Sequence, residues 1–283
     1  MSTLSALTGT IIIPPSQPGT NLFVDRRKNS EFLLMILAGY KSFLYEDVFA
    51  RVKAFTPKHF DICIMSSGLF DETLNQIAAE NNWSYLSTAE NNIPLVQNLA
   101  IMLHPQAEFI YKMDEDIFRF VAPLIPINPY GYVRLLEKLG LIETYEKMFE
   151  PVYYGANNRM STTNLDVAKF FWGEGGIFPS IDKMNAAFQN QKISYGICSI
   201  RFTIGMIMFH RDLWLTMDGL KVNQVGNYGL GLDEWVICQF CVMEALAMVV
   251  AENAVVGHLC FCSLTSAMKE YYLTHRERFR CPK

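Results

Sequence analysis

The stretch that decides the fold runs from residue 31 to residue 65 and reads EFLLMIL-AGYKS-FLYEDVFARVKAF-TPKH-FDICIM. Glu31–Leu37 is a continuous apolar run typical of a buried strand, and Phe43–Phe55 carries apolar residues at helical spacing until Pro57 ends it. Phe60–Met65 predicts a second strand. A strand, a helix and a strand in this order indicate a parallel pair joined by a right-handed crossover.

The same alternation continues as far as residue 113. Asp71 is a candidate N-cap for a second helix, and Pro94 stands where the first turn of a third helix tolerates proline. Trp83–Leu86 and Glu108–Met113 predict a third and a fourth strand. Strands alternating with amphipathic helices predict an α/β fold with a doubly wound, mostly parallel sheet.

Beyond Asp116 the alternation breaks down. Tyr130–Phe149 predicts one helix, and the following residues to about 194 are rich in Asn, Gly and aromatics without a steady period, which indicates an insertion. Ile197–Phe209 and Met248–Val256 predict two more strands, with a helix from about residue 233 to residue 246 between them.

The composition is that of a compact globular protein. Of 283 residues, 51% are hydrophobic and 18% are charged, which excludes an intrinsically disordered or collagen-like chain. The net charge of −4 gives no general attraction to polyphosphate, so nucleic acid is not an expected partner. The apolar run Ala245–Val256 is shorter than the roughly 20 residues that a membrane span needs. We therefore expect no transmembrane helix, no signal peptide and a cytoplasmic location.

Seven cysteines, an odd number spread along the chain, indicate reduced intracellular thiols. Cys238 and Cys241 form a C-x-x-C, and Cys260 and Cys262 form a C-x-C, so a four-thiolate zinc site is one interpretation. Cys238 and Cys241 also fall in an apolar run at helical spacing, where cysteine acts as an ordinary small hydrophobe. We favour this second interpretation.

The most specific local feature is the strand-ending sequence FIYKMDED, residues 109–116. Asp114 and Asp116 are two residues apart, so a continuing strand places both carboxylates on one face at its carboxyl end, where open α/β sheets bind ligands. Two oxygen donors at this edge suit Mg²⁺ or Mn²⁺ holding a diphosphate. A solvated acidic turn without a ligand is the alternative.

Four segments, in order along the chain, resemble nucleotide-sugar glycosyltransferases of the A-type fold, in their family-two-like form. Asp114-Glu115-Asp116 resembles the D-x-D motif of that family. Residues 90–101, ENNIPLVQNLAI, resemble the upstream segment N-x-G-x-x-x-A-R-N-x-G, with Asn92 and Asn98 in the two asparagine places.

The two downstream segments are residues 204–214, IGMIMFHRDLW, and residues 229–235, GLGLDEW. The first is similar to a strand and turn whose glycine, here Gly205, lies beside the donor sugar. The second resembles the acceptor-side motif G-x-G-x-E-D. The chain departs from the upstream motif at Pro94 and Gln97, where glycine and arginine are usual.

The resemblance implies a divalent metal as cofactor. Asp116 is its implied principal ligand, while Asp114 contacts the ribose or shares the metal. His258 follows the late apolar strand, where metal-dependent members of this fold often place a third ligand. Imidazole tolerates Mn²⁺ better than Mg²⁺, so we expect manganese, with magnesium as the alternative. A hydrogen-bonded core histidine is the other interpretation of His258.

The general base implied by the resemblance lies in the pair Asp233 and Glu234. The family usually places the base at the second position, which favours Glu234, and Asp233 stays open. An inverting transfer needs such a carboxylate to take the proton of the acceptor hydroxyl. Both residues also suit the start of a helix, where acidic side chains complement the dipole.

The remaining implied site residues contact the nucleotide-sugar donor. Glycine and small hydroxyl residues at the first two strand ends allow close approach of the backbone, and a lysine there suits phosphate. The implied donor contacts are Gly39, Lys41, Ser67, Asn92, Asn98, Asp114, Glu115 and Gly205.

The resemblance also implies a division of the chain and a reaction. The predicted segments are an N-terminal extension (1–30), a nucleotide-sugar-binding half (31–128), a helical or irregular acceptor-side insertion (129–196), an acceptor-binding and catalytic half (197–263) and a basic C-terminal tail (264–283). We expect metal-dependent transfer of a sugar from a UDP-sugar to the hydroxyl of a glycan or another acceptor, with inversion. The alternatives are a sugar-phosphate nucleotidyltransferase and a non-catalytic sugar-nucleotide-binding module. Peripheral membrane contact and a nucleobase acceptor stay open.

Overall fold

The computed structural model describes residues 20–118, 129–149, 151, 163–192, 194–197, 206–222, 233–259 and 264–282. The chain forms two compact units. Unit 1 comprises Met1–Tyr45, Thr56–Glu115 and Gly205–Phe240, and unit 2 comprises Glu46–Phe55, Asp116–Ile204 and Cys241–Lys283. The five-segment division drawn from the sequence stays a prediction.

Strands and helices alternate in the first part of the chain. The described strands are β1 (Leu22–Val24), β2 (Phe32–Leu37), β3 (Asp61–Ser67), β4 (Ser84–Thr88), β5 (Phe109–Asp114), β6 (Ile117–Phe118), β7 (Tyr195–Ile197), β8 (Met206–His210), β9 (Val249–Ala251) and β10 (Gly257–His258). The described helices are α1 (Tyr45–Phe55), α2 (Glu72–Asn81), α3 (Ile93–Leu103), α4 (Pro129–Leu139), α5 (Ile142–Met148), α6 (Leu165–Phe171), α7 (Ile181–Phe188), α8 (Arg211–Thr216), α9 (Asp233–Met243) and α10 (Thr265–Thr274). Short 3-10 helices cover Ser42–Leu44, Glu174–Gly176 and Arg276–Arg278.

Unit 1 contains a six-stranded sheet in the order β1-β4-β3-β2-β5-β8. The four inner strands, β4, β3, β2 and β5, are parallel, while β1 and β8 run antiparallel at the two edges. Every residue of β3 is buried, as expected for the continuous apolar runs of a parallel sheet that is covered on both faces. The predicted α/β fold with a mostly parallel sheet is confirmed.

The predicted helix starts of unit 1 are also confirmed. The Asp71 side chain accepts a hydrogen bond from Leu74 N, at 3.1 Å, and caps α2. The Asn92 side chain accepts one from Leu95 N, also at 3.1 Å, and caps α3, with Pro94 in the first turn. Each cap satisfies a main-chain N–H that has no partner within the helix.

The structure differs from the sequence predictions in three elements beyond residue 116. The single helix predicted over 130–149 is two helices, because Gly140 adopts a left-handed φ of 64° that ends α4. The strand predicted over 197–209 corresponds to β7 and β8, which belong to different sheets. The strand predicted over 248–256 is shorter in the structure. It is β9, Val249–Ala251, which pairs with β7 in a short antiparallel ribbon.

Unit 2 is anchored by a buried arginine. The Arg51 guanidinium donates two hydrogen bonds of 2.9 Å to the Asp182 carboxylate, in bidentate geometry. It also donates to the main-chain carbonyls of Phe279 and Arg280, each at 2.7 Å. The side chain of Arg51 therefore joins α1, α7 and the C-terminal segment.

The basic residues near the C-terminus take part in this packing. The Arg276 guanidinium donates to the carboxylates of Glu46 and Asp47, at 2.6 and 2.8 Å. Phe279 packs against Phe118 and Trp172 at ring-centroid distances of 5.4 and 4.5 Å. No helix in the described part of the chain is long and apolar enough to cross a bilayer.

Replacing Arg51 by methionine should lower the free energy of unfolding by about 3 kcal/mol, because it removes the buried cation on which one carboxylate and two carbonyls converge. Chemical denaturation of the variant and the parent measures the difference. The control is Lys147→Met, which removes an exposed ion pair with Glu143 worth only about 0.3–0.5 kcal/mol. Equal effects of the two substitutions would contradict this role of Arg51.

Candidate functional site

The acidic triplet lies at the carboxyl end of the parallel strands. β5 pairs with β2 along its whole length, ending with Asp114 opposite Leu37. The main-chain N–H of Glu115 also donates to Leu37 O at 3.0 Å, so the pairing extends one residue beyond the strand. Open α/β sheets bind their ligands at this edge.

Asp114 forms an ion pair with a lysine of its own strand. Lys112 Nζ lies 2.9 Å from Asp114 Oδ1, and the lysine side chain is buried. The spacing of two residues puts both side chains on one face of the strand. Lys112 is not among the residues predicted from the sequence, although a lysine two residues before a predicted metal carboxylate in an apolar strand is a detectable signal.

Glu115 supports the loop that follows β2. Its carboxylate, 3% exposed, accepts hydrogen bonds from Gly39 N at 2.9 Å and Tyr40 N at 3.0 Å. Gly39 has a φ of 129°, and a Cβ there would lie 3.0 Å from Leu69 Cδ1, so glycine is needed on both counts. Glu115 thus fixes the backbone of a predicted donor loop by direct contact with its main chain.

Tyr40 and Ser67 connect this loop to the end of β3. The Tyr40 hydroxyl donates to Ser67 O at 3.1 Å. Tyr40 as a whole is 48% exposed to solvent. Partial burial, and secondarily the charge of Glu115, raises the pKa of Tyr40, so the phenol stays neutral at physiological pH. Ser67 Oγ accepts from Asn92 N at 2.8 Å, and Lys41 precedes the 3-10 helix Ser42–Leu44.

Asn92 and Asn98 contact the segment that follows α8. Asn92 Nδ2 donates to Val222 O at 2.9 Å. Asn98 Nδ2 donates to Leu220 O at 2.8 Å, and Asn98 Oδ1 accepts from Leu220 N at 2.9 Å. The donor-binding roles of both asparagines stay predictions, since these contacts are with the protein's own main chain.

In unit 2, Asp116 meets His258 across 142 residues of sequence. Asp116 Oδ2 and His258 Nε2 are 3.0 Å apart, with the side chains 1% and 13% exposed. The antiparallel pair β6 and β10 places His258 opposite Ile117, and Leu259 N donates to Asp116 O at 3.2 Å. A Cβ on Gly257 would overlap Trp172, so glycine allows β10 to lie at this position.

Asp116 Oδ2 and His258 Nε2 form a direct hydrogen bond, and the same separation would also suit two neighbouring ligands of one divalent metal. Two ligands at about 2.1 Å from an octahedral metal, at right angles, lie about 3.0 Å apart. Carboxylate oxygen and imidazole nitrogen together suit Mn²⁺. Among the described residues, no three His, Cys, Asp or Glu side chains are grouped as a metal site.

For several of the predicted site residues, the structure describes either the backbone alone or nothing. Asp233 and Glu234 begin α9, but their side chains are not among those described. Gly205, Cys260 and Cys262 lie outside the described residues. Cys238 and Cys241 are buried in α9, as expected of small hydrophobic residues.

Some solved structures are partly similar to this chain in fold. No family model matches the sequence, and no curated protein matches it. Among solved structures, the mannosyltransferase PcManGT from Pyrobaculum calidifontis, in complex with GDP-Man and Mn²⁺, aligns at 11% identity with a TM-score of 0.47. The alignment covers 90% of this chain and 64% of the mannosyltransferase.

Two other structures align over most of this chain. S. aureus TarS matches at 11% identity and a TM-score of 0.42, covering 87% of this chain and 64% of the TarS chain. A cytidylyltransferase from Leptospira borgpetersenii matches at 9% identity and a TM-score of 0.36, covering 90% of this chain and 98% of the other. The chain thus spans less than two thirds of the mannosyltransferase and of TarS.

Glu115→Gln should loosen the loop after β2, because the carboxamide offers one oxygen and one amino group to two N–H donors. We expect the free energy of unfolding to fall by about 1–3 kcal/mol. Hydrogen exchange should become faster at the amides of Gly39 and Tyr40, and mass spectrometry of the corresponding peptide measures it. Glu143→Gln, at an exposed position, is the control. Unchanged exchange at both amides would show that Glu115 does not hold the loop.

Proposed function

We propose that this protein is a metal-dependent glycosyltransferase that transfers a sugar from a UDP-sugar to an acceptor hydroxyl with inversion at the anomeric carbon. The observation that carries the proposal is the Asp116–His258 pair, whose separation of 3.0 Å fits two ligands of one metal. Asp116 follows directly on Asp114 and Glu115 in the sequence. The four sequence segments that resemble the glycosyltransferases agree with this assignment.

Asp116 and His258 would hold the metal together with the diphosphate of the donor. When bound, the metal would neutralise the negative charge that builds on the departing nucleotide diphosphate. Asp114 is paired with Lys112, so its proposed contact is with the ribose. The two protein ligands lie in unit 2, and the chain passes from Glu115 to Asp116 directly into that unit.

The nucleotide would bind to the loops that follow β2 and β3. The Gly39–Tyr40 backbone is fixed by Glu115 and lacks a side chain at Gly39, which favours close approach of a ligand. The exposed Tyr40 ring offers an aromatic surface for a base, and Lys41 offers a cation for a phosphate. Ser67, the last residue of β3, accepts a hydrogen bond from Asn92 N and so connects the end of this strand to the start of α3.

Glu234, or Asp233 beside it, would act as the general base. The carboxylate takes the proton of the acceptor hydroxyl while its oxygen attacks the anomeric carbon from the face opposite the nucleotide. The bond from the anomeric carbon to the diphosphate oxygen breaks in the same step, and UDP leaves with the bonding electrons. One displacement of this kind inverts the configuration.

Asp116→Asn and His258→Ala should each weaken Mn²⁺-dependent binding of UDP by at least tenfold, because each removes one of two protein ligands. Isothermal titration with UDP, with and without Mn²⁺, measures the effect. The matched controls are Asp212→Asn and His210→Ala, which alter an exposed aspartate and histidine 3.2 Å apart. If the site variants bind UDP and Mn²⁺ as the parent does, the metal assignment is wrong.

Glu234→Gln or Asp233→Asn should lower kcat by about 10²–10⁴-fold while the affinity for UDP and Mn²⁺ stays unchanged. A base acts in the transition state and makes no contact needed to hold the donor. Release of UDP from a panel of UDP-sugars measures turnover. Near-parental rates in both variants would contradict the inverting mechanism. Release of pyrophosphate from a nucleoside triphosphate and a sugar phosphate would instead indicate a nucleotidyltransferase.

A further inference from the structure

Lys112 is a charged residue within the six-stranded sheet of unit 1. It belongs to β5, which lies between β2 and β8. Its register partners in these two strands are apolar, Met35 in β2 and Ile207 in β8. The lysine side chain is 4% exposed. Because lysine is almost never buried to this degree unless it is paired, a partner of opposite charge is expected for Lys112.

Asp114, at the end of the same strand, is such a partner. Lys112 Nζ lies 2.9 Å from Asp114 Oδ1. Oδ1 is itself buried, whereas the Asp114 side chain as a whole is 20% exposed. A ligand would therefore meet this carboxylate at Oδ2. Since a carboxylate is planar, a lysine that holds Oδ1 inward also fixes the direction in which Oδ2 points.

Stability alone is a poor explanation for this ion pair. Taking two charges out of water costs much of what their attraction returns, so apolar residues of similar volume are often as stable as a buried pair. The two register partners of Lys112 are apolar and would suit an apolar residue between them. A buried lysine at this position therefore indicates a task that an apolar residue cannot perform.

The ion pair lies beside the loop to which the nucleotide is assigned. Asp114 is opposite Leu37, the last residue of β2. Two residues further along the chain, Gly39 N donates to the Glu115 carboxylate at 2.9 Å. All of these residues belong to unit 1. The carboxylate that Lys112 holds is therefore at the same edge of the same unit as this loop.

We propose that Lys112 is a positioning residue for the donor, which fixes Asp114 so that Oδ2 accepts a hydrogen bond from a hydroxyl of the ribose. The inference rests on the proposed function. Hydrogen bonds to a charged acceptor are among the strong ones, and a carboxylate that is already held in place loses little freedom when it forms one. Because Lys112 is buried, its effect on the donor passes through Asp114 and depends on the ribose hydroxyls.

The test measures how strongly the full-length chain prefers UDP to 2′,3′-dideoxy-UDP, which lacks both ribose hydroxyls. Isothermal titration in the presence of Mn²⁺ gives the dissociation constant of each nucleotide for the parent, Lys112→Met, Asp114→Asn and the double variant. Methionine keeps the length of lysine and removes its charge. Lys112→Gln keeps a hydrogen-bond donor near Asp114 and serves if the methionine variant does not fold. The matched control is Lys138→Met, which alters another partly buried lysine, 4.0 Å from Glu252.

We expect the parent and Lys138→Met to bind UDP about tenfold or more tightly than the dideoxy nucleotide, as one hydrogen bond to a charged acceptor provides. In Lys112→Met and in Asp114→Asn, this preference should fall below about threefold. The double variant should lose no more than either single variant, because both changes remove the same contact. Lys112→Gln should lie between Lys112→Met and the parent.

A preference in Lys112→Met equal to that of the parent would overturn the proposal. So would an equal loss of affinity for both nucleotides, or a further loss of preference in the double variant. A parent that binds UDP without any preference for the ribose hydroxyls would overturn it too, while leaving the proposed function in place. If the parent does not bind UDP, the proposed function fails and this inference fails with it.

Discussion

Three consecutive carboxylates at the end of a strand repel one another, so each needs a partner of its own, and the site depends on this constraint. Asp114 pairs with the buried Lys112, Glu115 accepts from two main-chain N–H groups, and Asp116 meets His258. An unpaired buried carboxylate would cost several kcal/mol. Each of the three neighbouring acids therefore contacts a different part of the protein.

The three acids of the motif differ in their partners. Lys112 neutralises Asp114 and places a cation beside the sheet edge. Glu115 holds the loop that carries Gly39, and its predicted contact with the donor stays a prediction. Asp116 is paired with a histidine, a residue type that suits a metal.

The sequence predicted the sheet well and the contacts of the site poorly. β2 is a continuous apolar run and β3 carries four apolar residues in succession, Ile62–Met65, so the pattern of these buried parallel strands is local and detectable. The contact of Glu115 with Gly39, 76 residues away, and that of Asn98 with Leu220, 122 residues away, follow from tertiary packing. No local pattern marks a side chain that bonds a distant main chain. The resemblance to glycosyltransferases supplied His258, which spacing alone would not have.

The proposed function requires that Asp116 and His258 bind one metal together with the donor diphosphate. Electron spin-echo modulation of Mn²⁺ in the presence of UDP tests it most directly, because a coordinated imidazole nitrogen couples magnetically to the metal. We expect a ¹⁴N coupling in the parent protein that disappears in His258→Ala and persists in His210→Ala. A bound Mn²⁺ without nitrogen coupling in the parent, or a coupling that survives in His258→Ala, would contradict it.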